Sequence, residues 1–113
     1  MNSVNLIGRL AREPELRETR NGKSVCSFPL AVDNPYSEGA DFFDVTAWGK
    51  TAENTAQYMS KGSQVGIVGR LEQQKWEQDG QKRSKVAIVA DRVVFLDNKR
   101  KEQETFNEED VPF

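Results

Sequence analysis

Residues 41–62 read DFFDVTAWGKTAENTAQYMSKG, and their periodicity changes halfway. Asp41 to Lys50 alternates with period two: Phe42, Asp44, Thr46 and Trp48 fall on one side, Phe43, Val45 and Ala47 on the other, as in a strand. From Thr51 the period lengthens. Thr51 is a candidate N-cap, Ala52, Ala56 and Met59 form one stripe and Gly62 follows Lys61, which predicts a single short helix over 51–61.

Three further strands, the second of them short, are predicted ahead of the 41–50 strand. Val4 to Leu10 alternates, with Val4, Leu6, Gly8 and Leu10 on the apolar side and Gly8 a bulge or bend. Glu13-Pro14 and Asn21-Gly22 are turn signals, leaving Glu15 to Thr19 as a short strand and Asn21-Gly22 as a tight hairpin. Ser24 to Asp33 returns with Cys26, Phe28, Leu30 and Val32 on one face. Pro29 lies inside this run and cannot donate a ladder hydrogen bond, so its position must be an edge or a bulge. Asn34 to Gly39 is a polar loop carrying Tyr36.

Two strands are predicted after the helix. Val65, Ile67, Gly69 and Leu71 share one parity, Arg70, Glu72, Gln74 and Trp76 the other, and Gly66 and Gly69 allow strong curvature. Gln78-Asp79-Gly80-Gln81 turns the chain into a final strand, Lys85 to Leu96, interrupted by Asp91 and Arg92. The predicted fold class is therefore all-β: a five-stranded Greek-key OB barrel with one short α-helix between strands 3 and 4. A meandering sandwich competes less well, because it needs no mid-chain helix.

The charge is divided along the chain. Residues 1–96 hold 13 Lys+Arg against 12 Asp+Glu, a balance of +1, whereas residues 97–113 hold 3 against 6, or −3. Glu102, Glu104, Glu108, Glu109 and Asp110 follow one another without an intervening cation, so the tail is expected to be acidic and disordered. The expected organisation is a domain over 1–96, a short charged linker over 97–107 and a terminal peptide over 108–113.

Other function classes find little support. The longest apolar run, Val86 to Ala90, is far too short to cross a bilayer, and no basic-then-apolar leader follows Met1, so no membrane role and a cytoplasmic location are expected. A single cysteine and no histidine leave no credible metal, cofactor or acid–base site, and Cys26 reads as a small core residue. Asp41 and Asp44 point to opposite faces of a strand, which argues against a shared proton or metal. Catalysis is not expected.

What remains is a strand face rich in aromatics and cations. Phe42, Trp48 and Trp76 lie on polar faces, and Arg9, Arg17, Lys50, Arg70, Lys75, Lys82 and Arg83 lie on or beside the same strands. Stacking platforms interleaved with cations suit sequence-tolerant binding of a single strand, since every base has a π face and every nucleotide a phosphate. Packing of these aromatics in a second layer is the competing reading.

Several motifs support a family resemblance. Asn2-x-Val4-x-Leu6-x-Gly8-x-Leu10, Glu13-Pro14-Glu15-Leu16-Arg17 and Asn21-Gly22, then Asp41 to Lys50 with Ala52-Glu53 and Lys61-Gly62-Ser63, resemble the bacterial single-stranded DNA-binding proteins of the OB-fold type. The resemblance spans 1 to about 96 and the end of the chain. It implies base stacking by Tyr36, Phe42, Trp48 and Trp76, and phosphate contacts by Arg9, Arg17, Lys50, Arg70, Lys75 and Arg83. Glu108, Glu109, Asp110, Val111, Pro112 and Phe113 are similar to the acidic peptide through which the family docks partner proteins.

By that resemblance the chain is expected to form a homotetramer that protects single-stranded DNA. It would act in replication, recombination and repair, associate with the nucleoid and recruit proteins of those processes through its C-terminus. An RNA-binding or primosome-accessory OB module is the alternative. The family usually has a long linker, whereas here about ten residues reach only roughly 16 to 19 Å. The tail is thus expected to stay near the groove and compete with DNA at low salt.

Overall fold

A computed structural model describes residues 1–96; the expected linker, acidic tail and docking peptide lie outside the described residues. The chain runs β1 (Val4–Leu10), β2 (Glu15–Glu18), β3 (Ser24–Asp33), β4 (Ala40–Trp48), α1 (Gly49–Tyr58), β5 (Gln64–Gln78) and β6 (Gln81–Phe95). The strands are ordered β1-β5-β6-β4-β3-β2, and β1 pairs again with β3, which closes the five long strands into a barrel. All pairs are antiparallel except β4 with β6, where Val45 lies opposite Ile88. The helix follows the third long strand, as expected of an OB-like barrel.

The apolar parities point inward. Leu10, Cys26, Phe28, Leu30, Val45 and Ala47 share the core with Val65, Ile67 and Ile88, and Ala52 and Met59 cover one end of it. Thr55 is also fully buried, its hydroxyl donating to the Thr51 carbonyl at 2.8 Å, which satisfies the polar group without a partner outside the helix.

Several local expectations are corrected. β4 stops at Trp48 and α1 starts at Gly49, not Thr51; Trp48 occupies the N-cap without a side-chain cap bond. Gly49 has φ +64°, so the sharp strand-to-helix corner is made where a left-handed residue is tolerated. The helix ends at Tyr58, with Met59 as C-cap and Gly62 four residues beyond the last helical residue. The Asn21-Gly22 hairpin has three loop residues: the Gly22 amide donates to the Thr19 carbonyl, the Thr19 amide to the Lys23 carbonyl, and Gly22 sits at φ +82°. The last strand begins at Gln81, four residues before Lys85.

Gly8 causes no bulge, because the pairing of β1 with β5 runs unbroken through it. A Cβ there would stand 2.3 Å from the Ala31 carbonyl oxygen, so Gly8 marks the close approach that closes the barrel. Pro29 also lies in unbroken register, opposite Asp44 of β4. Its carbonyl accepts from the Ala11 amide, so its missing N–H faces the break between β1 and β2, where no strand partner waits. The bulge is elsewhere. Val68 pairs with Arg92 and Gly69 with Ala90, leaving Asp91 as the extra residue, and a Cβ on Gly69 would stand 2.1 Å from the Val89 carbonyl oxygen. Past this bend β6 stays paired with β4 as far as Ile88, and from there β5 and β6 continue as a two-stranded arm to the Asp79-Gly80 turn, both residues at positive φ.

Candidate nucleic-acid interface

The outward face of β4 carries Phe42, Asp44, Thr46 and Trp48. Trp48 is 44% exposed and Phe42 64%, large values for aromatics on a central strand. Alternation forces this, since Val45 and Ala47 on the inner parity are fully buried. Strand register then sets the neighbours. Arg17, Val25 and Trp48 stand in one row across β2, β3 and β4, with Ser27 opposite Thr46 in a neighbouring row.

These rows floor an open groove of about 640 Å³. Arg12, Arg17 and Lys85 line it as cations, Glu18 and Asp44 as anions, and Trp48 is its aromatic wall. The Lys85 ammonium lies 2.9 Å from the Asp44 carboxylate. Gln74, opposite Lys85 in the arm, also lines it. Residues directly opposite across an antiparallel pair share a face. Trp76 and Arg83, the next such pair on this face, therefore extend it toward the tip of the arm.

Other expected contacts lie apart from the groove. Tyr36 is almost fully exposed at the turn of the β3–β4 loop, which Asn34 braces by accepting from the Tyr36 amide and donating to Asp41. Lys50 is exposed in the first turn of α1, two residues past Trp48. Lys75 pairs with Ser84 on the reverse of the arm and lines a second concavity of about 520 Å³ with Lys82, shared with Trp76 and Arg83. Arg9 donates to the Gly62 carbonyl at 2.8 Å and Arg70 pairs with Asp91 at 2.7 Å, so both are engaged by the barrel itself.

The sequence reading missed Arg12 and Lys85. Arg12 falls in the non-periodic 11–14 connection, where nothing assigns it a face. Lys85 had a usable signal: it is two residues from Arg83, hence on the same side of one strand, once that strand is known to start at Gln81. Cys26 is fully buried in the wall beneath, and burial pushes its thiol up to about 11, leaving it protonated and inert at neutral pH. No helix of the described residues is long and apolar enough to cross a membrane, and they contain no group of His, Cys, Asp or Glu that could hold a metal ion.

Comparison with known proteins agrees with this geometry. The chain is 48% identical over 103 residues to a single-stranded DNA-binding protein of Clostridium tetani, covering 86% of this chain and 71% of that one. It is 45% identical over 105 residues to one of Oceanobacillus iheyensis (88% and 65%), and 43% identical over 102 residues to one of Treponema pallidum (85% and 58%). It thus spans between 58% and 71% of the length of these relatives. Residues 1–96, the whole barrel and arm, match the Single-strand binding protein family, and the chain belongs to that family.

Proposed function

We propose that this chain binds single-stranded DNA without sequence preference, seating bases on Trp48 and Trp76 and phosphates on the cations of the same face. The single observation that carries the reading is the continuous surface from Arg17 through Trp48 and Lys85 to Trp76 and Arg83. The relatives are named as DNA-binding proteins, which agrees with binding and not catalysis as the activity. Phe42 and Tyr36 extend the stacking path along β4, and Lys50 and Lys75 supply phosphate contacts at its margins. Arg9 and Arg70 contribute only if the strand displaces their present partners.

The finer reading is a homotetramer that protects DNA during replication, recombination and repair, in the cytoplasm at the nucleoid. Its peptide Glu108 to Phe113 would recruit partner proteins. Two separate apolar surfaces support the tetramer. Ile7 and Leu96 surround Gly66 beside Val68 on the outer face of β1, β5 and β6, while Phe43, Leu71 and Val86 are exposed where the arm leaves the barrel. Two distinct self-complementary patches are what a tetramer built from two kinds of two-fold interface needs.

Intrinsic fluorescence titrated with oligo-dT at several salt concentrations tests the binding, since Trp48 and Trp76 are the only tryptophans. Strong quenching that saturates at a fixed nucleotide-to-protein ratio is expected, and a folded protein without quenching overturns the reading. Competition by RNA at equal concentration favours the RNA-binding alternative, and sedimentation equilibrium counts the subunits.

A further inference from the structure

The groove contains a carboxylate where a polyanion is expected to lie. Asp44 is on the outward face of β4, two residues from Thr46 and four from Trp48, and lines the groove with both. Its carboxylate meets the Lys85 ammonium at 2.9 Å, bridging β4 to the root of the arm, and both side chains are about half exposed to solvent. Neither group is needed to satisfy a buried partner, and an exposed pair of this kind adds little stability. Its placement in the groove is the feature that calls for a reason.

We propose that Asp44 is a built-in counter-ion for Lys85, holding that lysine in the position of a phosphate contact and surrendering it to the strand on binding. The inference rests on the single-stranded DNA reading. In the free protein the carboxylate occupies the ammonium as a phosphate oxygen would. A bound strand must displace it, so the groove trades one internal ion pair for one phosphate pair and releases fewer counter-ions than its cations alone imply. The pair therefore lowers affinity and salt dependence together.

Four proteins test this on oligo-dT from about 50 to 300 mM salt: wild type, Asp44→Asn, Lys85→Gln and the double variant. Asp44→Asn should tighten binding by about two- to fivefold at low salt and steepen the log–log salt slope by about 0.7, the single-strand increment for one added cation. In the Lys85→Gln background the same substitution should give less than half that gain, because no lysine remains to be freed. An unchanged slope, or an equal gain in both backgrounds, overturns the inference and leaves Asp44 a general negative charge. Both side chains are exposed, and a thermal melt of each variant confirms the barrel. Wild type that fails to bind the strand defeats the function reading and this inference with it; wild type that binds with Asp44→Asn indistinguishable from it defeats only the latter.

Discussion

The barrel and the arm share two strands, β5 and β6, and obey different rules. In β5, Val65, Gly66, Ile67 and Gly69 are buried, whereas from Arg70 to Gln78 almost every side chain is exposed, Gln74 and no other being half-buried among the residues past Leu71. In β6 the run from Ala87 to Ala90 is buried and the six residues before it are exposed. The boundary lies at the Glu72–Ala87 pair, three pairs past the bend at Gly69 and Asp91 and one past the last pairing of β6 with β4. Below it, side chains are chosen by the volume of a closed core. Above it, they have no core to fill, and an isolated two-stranded ribbon is marginal without a base to anchor it. Aromatics and cations on the arm are therefore available for a ligand, and substitutions should separate: stability for the inward-facing residues of the barrel, binding for the arm and the outward groove face.

The largest expected effect lies inside the barrel. Leu30 is fully buried in β3 between the β1 crossing and β4. Leu30→Ala should lower unfolding stability by about 4 kcal/mol in urea titrations, through lost burial and the cavity left behind. If stability falls by less than about 1 kcal/mol, the core is not the source of the barrel's rigidity and the comparison fails at its first step.

A second effect on the same side depends on pH. Burial raises the Cys26 thiol from 9.0 to about 11, so the unfolded chain ionises before the folded one. The stabilisation is complete below pH 9 and is lost as pH rises from 9 through about 11, to a ceiling of roughly 3 kcal/mol. Cys26→Ala removes this component, so the stability gap between wild type and variant should narrow over that range. A gap that stays constant to pH 11 means the thiol ionises freely and the β3 wall is open to water.

On the arm the effect moves from folding to binding. Trp76→Ala should weaken oligo-dT binding by about 1 to 3 kcal/mol, the usual worth of a base-stacking aromatic, while changing unfolding stability by less than about 1 kcal/mol. The reverse pattern, a destabilised barrel with DNA affinity intact, would make Trp76 a packing residue and the arm part of the fold.

The same boundary separates what the sequence made legible from what it concealed. Cys26, Phe28 and Leu30, or Val45 and Ala47, declare their face by period two, because one side is buried and the other is not. The helix start was misplaced because Thr51 has the chemistry of a cap, while the corner is made by the backbone freedom of Gly49, which no periodicity records. Asp91 and Arg92 were visible as an interruption, but only the register shows Asp91 to be the extra residue. The groove was half legible: the aromatics and Arg17 stand out on local faces, whereas Arg12 and Lys85 enter it through pairings between segments far apart in sequence. Phe42 on β4 and Tyr36 in the loop before it were legible by residue type alone.

The smallest expected effect tests whether the groove's floor belongs with the arm or with the barrel. β2 is exposed along its whole length and pairs only with β3, so Arg17 has no core to support. It stands in one row with Val25 and Trp48, two strand spacings or about 10 Å from the ring. If a base seats on Trp48, as proposed, Arg17 is the cation of that row available to an adjoining phosphate. Arg17→Gln should leave the urea midpoint unchanged, reduce the salt slope for oligo-dT by about 0.7 and weaken binding about threefold at low salt, equally for dT and dA strands. A sequence-dependent loss would make Arg17 a base reader, and an unchanged slope would place the strand's path across the arm alone, with the barrel serving only to hold it.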